Sequence, residues 1–148
     1  MITLERDATI SAKVESPYQS GMTASPTLSR APDDRLRNRA AWQDVIDYKL
    51  VEWGQDPGRF VEEGLTPPSA MAIRGACVLA GILRDLDREA PQRVVPSGDG
   101  GIVFERRKGE LFEKIEIQED GSVEWAAFRN SRLQSRDRWD LNTRNARC

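Results

Sequence analysis

The chain has 148 residues, of which 31% are charged and 39% hydrophobic, and its formal net charge at pH 7 is −2. This composition is typical of a soluble protein with one small domain and flexible ends. The sequence contains no histidine, which excludes Ser-His-Asp and Cys-His nucleophile activation and any zinc site built on imidazole.

The sequence predicts neither a membrane span nor a signal peptide. Its longest nearly uncharged apolar run, residues 76–83, is far shorter than the roughly 20 residues that a transmembrane helix needs. Charged side chains at residues 5–7 interrupt the stretch in which a signal peptide would have its apolar core. Cys77 and Cys148 have no metal-ligand spacing and are predicted to form no disulfide framework. We therefore expect a cytoplasmic protein that contacts no membrane.

The first part of the chain has no regular pattern. Residues 1–38 are rich in Ser, Thr, Pro and Ala and sustain neither the period of a strand nor that of a helix, which predicts a disordered N-terminal tail. Apolar residues then recur at three- and four-residue spacing and predict an amphipathic helix over about residues 35–53. We interpret its Trp42 and Trp53 as packing residues and keep both also as part of a candidate partner surface.

A second helix is predicted over about residues 67–89. Thr66 can cap it, and the first turn of a helix accepts the two prolines that follow because its amides need no partner there. Relative to alanine, Gly75 and Gly81 each lower the intrinsic stability of the helix by about 1 kcal/mol. Because such small residues let the helix backbone come close to a sheet, they predict close packing there. The predicted core face of the helix consists of Ile73, Ala76, Cys77, Ala80, Leu83 and Leu86.

Residues 93–128 have the pattern of an antiparallel meander. Runs rich in Val, Ile, Phe and Trp are separated by three turn signals, residues 97–100, 108–109 and 120–121. The sequence therefore predicts an α+β fold in which a meander of three to four strands packs on the main helix at 67–89. We expect residues 39–128 to form the single domain.

Burial selects the register, because a slip of one residue moves every side chain to the other face. A two-residue loop at residues 108–109 predicts Phe104 opposite Glu113 and Ile102 opposite Ile115. A three-residue loop at residues 119–121 predicts Ile117 opposite Val123. The core face then comprises the apolar residues Ile102, Phe104, Leu111, Ile115, Ile117, Val123, Trp125 and Ala127.

The same register gives the other face an apolar end. Phe112 is predicted opposite Phe128, with Val103 and Ala126 nearby. Together with the two helix tryptophans, these four residues are the candidate partner surface.

Three carboxylates on that face form a candidate charged site. Glu116 is predicted directly across from Glu124, where like charges destabilise a sheet by roughly 0.2–1 kcal/mol, and Glu105 lies on the same face. The hypotheses are two solvated carboxylates, a bound cation, or a basic partner.

The end of the chain differs in charge from the domain. Residues 129–148 hold six arginines and two aspartates, whereas residues 42–128 hold 10 basic and 17 acidic side chains. We predict a basic, flexible C-terminal arm, whose arginines either stay mobile, fold back onto Glu116 and Glu124, or reach a nucleic acid or an acidic partner. The acidic domain repels phosphates, so nucleic acid could bind only through this arm.

Residues 67–124 resemble a loose group of small uncharacterised bacterial α+β proteins. The resemblance is carried by a proline-started helix followed by Pro91, Val94, Pro96, Gly100-Gly101-Ile102, Phe104-Glu105, an Ile-Glu-Ile strand and Asp120-Gly121. It implies the same fold, and it implies no activity, because the group has none assigned.

No stretch of the sequence has catalytic, cofactor-binding or metal-binding residues at diagnostic spacing. The leading hypothesis is therefore a non-enzymatic accessory module that binds another protein or a second copy of itself. One alternative is a small regulator of antitoxin type that uses the basic arm. The other is a carboxylate- or metal-dependent enzyme that uses Glu105, Glu116 and Glu124.

Overall fold

A layer of helices packs on one face of a five-stranded antiparallel sheet in the computed structural model, which describes residues 31–141. The α+β prediction is confirmed. Residues 1–30, most of the predicted N-terminal tail, and residues 142–148 lie outside the described part of the chain.

The first helix begins earlier than predicted. Helix α1 spans Pro32–Val45, so the last residues of the predicted tail are helical. Pro32 suits the first turn, and Asp33 and Asp34 favour the N-terminal end of the helix dipole. The sequence therefore contains a start signal for this helix at Pro32, Asp33 and Asp34.

A π-helical segment, Ile46–Val51, continues α1 into the short helix α2, Glu52–Gln55. Its wider turn places Leu50 on the buried side, five residues after the buried Val45, and leaves Lys49 exposed. The short helix α3, Gly58–Glu62, follows and buries Phe60.

The main helix, α4, spans Ala70–Asp85. Ser69, not Thr66, caps it, because the Ser69 hydroxyl accepts a hydrogen bond of 3.0 Å from the amide of Ala72. The prolines thus precede the helix rather than open it. The chain turns away after Asp85, and Leu86, predicted in the core, is 42% exposed.

The five strands follow one another across the sheet in chain order. They are β1 (Arg93–Pro96), β2 (Ile102–Lys108), β3 (Leu111–Ile117), β4 (Val123–Arg129) and β5 (Arg132–Trp139). The predicted β3–β4 register is confirmed, with Ile117 opposite Val123 and Gly121 in the left-handed region at φ 86°. Gly121 closes a three-residue loop that is flanked by a hydrogen bond from Gln118 to Ser122.

The predicted β2–β3 register is wrong by two residues. The loop is residues 109–110, so Ile102 lies opposite Ile117 and Phe104 opposite Ile115. A shift of two keeps every side chain on its predicted face, and it pairs Phe104 with an apolar residue instead of Glu113.

Strand β5 lies in the segment predicted to be a flexible arm, and that prediction does not hold for Arg132–Trp139. The connecting turn places Asn130 and Ser131 at φ 51° and 66°, the left-handed values that a two-residue hairpin turn requires. Trp139 anchors the strand, because its side chain is 2% exposed and stacks on Trp125 at a centroid distance of 6.5 Å.

The core lies between the helices and the sheet. Trp42 packs edge-on against Phe104 with 6.0 Å between ring centroids, and Trp53 packs against Phe60 at 5.4 Å. At Gly75 the backbone of α4 comes close to the β3–β4 turn, since an added Cβ would lie 3.2 Å from the carbonyl of Gly121. The close packing predicted from the small residues of α4 is therefore present at this position.

Cys77 is buried in α4 and is disulfide-bonded. The prediction that the cysteines form no disulfide framework is therefore wrong for Cys77, because burial in a helix does not prevent a thiol from being oxidised to a disulfide.

Candidate binding surface on the outer face of the sheet

The helices cover only one face of the sheet, the core face. On the other side, the outer face, no helix or loop of the described residues packs over the strands. Most of its side chains on β3 and β4 are half-buried by their neighbours on the sheet alone. The outer face is thus an open surface built on rigid, hydrogen-bonded strands.

Two phenylalanines lie side by side on this surface. Phe112 on β3 is directly opposite Phe128 on β4, with ring centroids 6.1 Å apart, as the sequence predicts. The guanidinium of Arg107 lies 5.1 Å from the centroid of the Phe112 ring, within cation–π distance. Leu133, opposite Phe128 on β5, is 52% exposed and extends the row. We call Arg107, Phe112, Phe128 and Leu133 the aromatic end.

Sequence reasoning missed Leu133 because it treated the last segment as an arm. The signal that could have identified it is Asn130, a residue that tolerates the left-handed turn of a hairpin.

The other members of the predicted partner surface divide into two groups. Ala126 lies on the outer face, in the row next to Phe128, and is partly exposed. Val103 also points outward, but it is only 7% exposed between Val95 and Glu116 on the adjacent strands.

Trp42 and Trp53 are 1% and 8% exposed and belong to the core, so they cannot contribute to a partner surface. Trp42 lies on α1 and packs against Phe104 of the sheet, whereas Trp53 lies on α2 and packs against Phe60.

The carboxylates of the candidate charged site are each paired with a base. Glu116 and Glu124 are directly opposed, as predicted. Lys114 lies 2.8 Å from Glu116, and Arg136 lies 3.2 Å from Glu124. Arg136 of the C-terminal segment thus contacts Glu124, as one of the predicted alternatives has it, and it does so as a residue of strand β5.

Glu105 does not join the other two carboxylates in a common centre. It pairs with Arg93 at 3.1 Å, on the β1 side of the sheet. Among residues 31–141, no group of three or more His, Cys, Asp or Glu side chains is arranged to hold a metal ion.

Three shallow depressions surround the aromatic end. The first two, of about 250 and 260 Å³, both include Phe128 in their walls, and the third, of about 520 Å³, lies on the Arg107 side of Phe112. They are open to solvent, whereas small-molecule sites enclose most of their ligand. Their shape suits side chains that project from a partner.

The turns at the aromatic end are basic, and those at the opposite end of the sheet are acidic. Lys108, Arg129 and Arg132 flank the turns between β2 and β3 and between β4 and β5, with Glu110 as the single carboxylate among them. These three cationic residues form one row across the sheet with Leu111, so by alternation their side chains lie on the side of the core face and not beside Phe112 and Phe128. The turns at the other end contain Asp99, Glu119 and Asp120.

On the core face, a small cavity of about 30 Å³ adjoins Glu113. Arg106 forms an ion pair with Glu113 and lies 3.3 Å from Glu89, and the Trp125 indole donates a hydrogen bond of 3.2 Å to Glu113. The carboxylate that the sequence places beside the core is therefore paired. The cavity is far below the roughly 300 Å³ at which ligand pockets begin.

No described helix could cross a membrane. Comparisons of the chain with protein-family models, with curated proteins and with solved structures find no match. The fold defines an α+β protein with an open antiparallel sheet.

Proposed function

We propose that the chain is a non-enzymatic protein-binding module whose contact surface is the aromatic end of the outer face. The observation that supports this most is the Phe112–Phe128 pair, at 6.1 Å on a sheet face that no described element covers. Aromatic side chains are enriched in protein interfaces and dominate their energetics, because they bury much area with little rotamer freedom to lose.

The size of the face agrees with this function. The five strands, of four to eight residues each, span a flat area of about 500 Å², from strand spacings near 4.8 Å and a rise of about 3.4 Å per residue. The relief of the side chains adds to this. Each partner of a standard interface contributes about 800 Å², so a partner that covers the face and its turns reaches that size.

A second candidate is a small regulator of antitoxin type that binds nucleic acid or an acidic partner. It is favoured by β5, which fixes Arg136 on the outer face, opposite Ala126 and near Phe128. Removal of residues 129–148 would also remove the buried Trp139. Single charge substitutions on β5 are therefore the appropriate test of this candidate.

The paired carboxylates do not favour the enzyme hypothesis. Glu105, Glu116 and Glu124 each contact a base on the same face instead of converging on a common point.

The test compares the wild-type chain with a variant in which Phe112→Thr and Phe128→Thr are combined. Threonine keeps the strand propensity of these positions and removes the aromatic surface. Tyr48→Ala, which removes a 71% exposed aromatic side chain from the helical layer, is the matched control. Each protein is immobilised as bait for a lysate of the source cells, and captured proteins are quantified by mass spectrometry.

We expect one partner to be retained by wild type and Tyr48→Ala and lost from the double variant, with thermal unfolding showing that all three are folded. Light scattering on the same samples identifies a second copy of the chain as the partner if wild type is dimeric and the double variant monomeric. Equal capture by all three proteins, with equal mass, would contradict the proposal.

A further inference from the structure

Resting on the proposed function, we infer that the aromatic end of the outer face is covered by the chain's own residues 2–14, which an external partner must displace. We call these residues the cover segment. Its apolar side chains enter the depressions beside Phe128, and its polar side chains point to solvent. The pattern of the segment, its tether to the domain and the charge of the depressions all favour it as the occupant.

The cover segment has the alternation of a strand with one apolar side. Residues 1–38 as a whole sustain no period, but within residues 2–14 every even-numbered position except Arg6 is apolar and every odd-numbered position is polar. Side chains of an extended chain alternate between two sides, so the apolar residues share one side. They are Ile2, Leu4, Ala8, Ile10, Ala12 and Val14. A segment of this kind is stabilised by an apolar surface on one side only.

The aromatic end provides such a surface. The Phe112–Phe128 pair is half-buried and Leu133 is 52% exposed, with no described element over them. One depression is bounded by Phe112, Phe128 and Ser131, and the other by Ala126, Phe128 and Leu133. Their volumes of about 250 and 260 Å³ accommodate one aliphatic side chain each. The cover segment offers four large ones, which are Ile2, Leu4, Ile10 and Val14.

The chain enters the domain at this same end of the sheet. Trp42 of α1 packs on Phe104, whereas Asn38, one turn earlier, bonds to the amide of Ala90. Two residues after Ala90, the side chain of Gln92 donates 2.9 Å to the carbonyl of Arg107 and accepts 3.0 Å from its amide. Arg107 belongs to the aromatic end. The start of α1, and with it the connection to residues 1–30, therefore lies toward the aromatic end.

The connection is long enough to reach the outer face. Residues 15–30 can span about 53 Å when extended at about 3.3 Å per residue, whereas β1 and β5 are about 19 Å apart at a strand spacing near 4.8 Å. More than half of these residues are Ser, Thr, Pro or Gly, which is a composition typical of linkers. A tether of this kind gives the segment an effective concentration of about millimolar at the surface. A partner from outside competes against that concentration.

The charge of the depressions favours an occupant with no excess charge. Their walls hold as many bases as carboxylates, namely Arg107, Lys114 and Arg136 against Glu110, Glu116 and Glu124. The cover segment is balanced in the same way, with two acidic and two basic residues. A nucleic acid carries a phosphate at every nucleotide and would place some of them against the carboxylates.

Photochemical cross-linking of the full chain identifies the occupant. Phe112 is replaced by p-benzoylphenylalanine, which keeps an aromatic ring at this position, and the irradiated protein is digested and analysed by mass spectrometry. A mixture of unlabelled and nitrogen-15-labelled chains distinguishes a cross-link within one chain from one between two chains. The same replacement at Tyr48, which is 71% exposed on the helical layer, is the control. We expect position 112 to capture residues 2–14 of its own chain and position 48 not to capture them.

Substitutions within the cover segment test its apolar side. Leu4→Asp combined with Ile10→Asp should lower the yield of this cross-link by about tenfold or more, because two buried aliphatic side chains are lost. Thr3→Asp combined with Thr9→Asp is the matched control, since it adds the same charge to the polar side. This control should leave the yield within about twofold, as is usual for exposed substitutions. The Leu4 and Ile10 variant should also retain more of any partner that depends on Phe112 and Phe128.

Three results overturn the inference. The first is a cross-link from position 112 that reaches only a second copy of the chain, or no residue of the cover segment. The second is equal capture of residues 2–14 from positions 112 and 48, which would mean random contact. The third is an equal loss of yield in the apolar and the polar variants.

The failure of this inference differs from that of the proposed function. A partner that depends on Phe112 and Phe128, without any cross-link to residues 2–14, overturns the cover and leaves the proposed function intact. Cross-links to residues 2–14 in a chain that retains no partner support the cover and contradict the proposed function.

Discussion

Glu116 and Glu124 lie directly opposite each other on neighbouring strands, with both carboxylates on the outer face. Lys114 lies 2.8 Å from the first, and Arg136 lies 3.2 Å from the second. Arg138 lies 3.8 Å from Glu124 as well. The repulsion between the two acids is thus offset by bases on the same face, two of which come from β5.

The first prediction concerns the pairing of β5 with this site. In a double-mutant cycle of Glu124→Gln and Arg136→Gln, the coupling free energy should be about 0.2–1 kcal/mol at low salt, since the Arg136 side chain is 63% exposed and solvent screens the pair. Screening should reduce this coupling in 1 M NaCl, where the Debye length is about 3 Å. Urea denaturation measures both values.

Arg132→Gln is the matched control for this cycle, because it removes the same charge from the same strand, and none of the ion pairs among residues 31–141 includes Arg132. It should show no coupling to Glu124→Gln. Equal coupling of Glu124 to Arg132 and to Arg136 would mean that only long-range charge, and not the observed contact, links them.

The second prediction separates the two glycines of α4. Gly81→Ala should raise the free energy of unfolding by about 0.5–1 kcal/mol, because alanine is the better helix former and the nearest atom to its Cβ would be an Arg84 side-chain nitrogen 4.0 Å away. Gly75→Ala should lower it by about 1–3 kcal/mol, because its Cβ would lie 3.2 Å from the Gly121 carbonyl and from Ile117. Thermal and urea unfolding of the two variants provide the measurement. Stabilisation by Gly75→Ala would show that the helix can move away from the β3–β4 turn without cost.

These two glycines also indicate how far the sequence could be interpreted. It predicts that small residues on the main helix allow close packing, and the structure has such packing at Gly75 but not at Gly81. Spacing along a helix defines a face, but the point of closest approach depends on where the sheet turns. The Phe112–Phe128 pairing was predictable because alternation and a tight turn together determine a register.

The errors have a common physical cause, which is that tertiary packing overrides local pattern. Strand β5 has few apolar residues, and it is held by its pairing with β4 and by the burial of Trp139 against Trp125. The β2–β3 register differs by two because both registers preserve alternation, and the choice between them depends on which apolar pairs meet. Likewise, no property of Trp42 in the sequence distinguishes a core residue from a surface anchor.

The third prediction concerns the buried Asn38. Its side-chain amide donates to the carbonyl of Arg88 at 2.8 Å, and its side-chain oxygen accepts from the amide of Ala90 at 2.8 Å. Asn38→Ala leaves the Ala90 amide without this partner and should cost about 1–3 kcal/mol of the free energy of unfolding. Urea denaturation is the measurement.

Arg35→Ala is the control for this loss. It lies on the exposed side of the same helix and should change the stability by less than about 0.5 kcal/mol. Equal effects of the two substitutions would indicate that the Arg88–Ala90 segment does not depend on Asn38 for its attachment to α1.

The last prediction concerns pH and the β3–β4 turn. The Asp120 carboxylate accepts two hydrogen bonds from Ser122, one of 2.6 Å from the side-chain hydroxyl and one of 2.9 Å from the backbone amide. These two hydrogen bonds hold the pKa of Asp120 below its ordinary value. Because the folded-state pKa is lower than the unfolded one, the turn contributes stability above about pH 4, the range of an unperturbed aspartate. That contribution is lost as the pH falls through the lowered pKa.

Ser122→Ala removes the hydroxyl donor and should move the pKa of Asp120 upward, which an NMR titration of its carboxyl carbon measures. Glu119→Gln, which removes a neighbouring charge but neither hydrogen bond, should leave the Ser122 contribution in place. A pKa of Asp120 that does not rise in Ser122→Ala would mean that the hydroxyl does not stabilise the carboxylate.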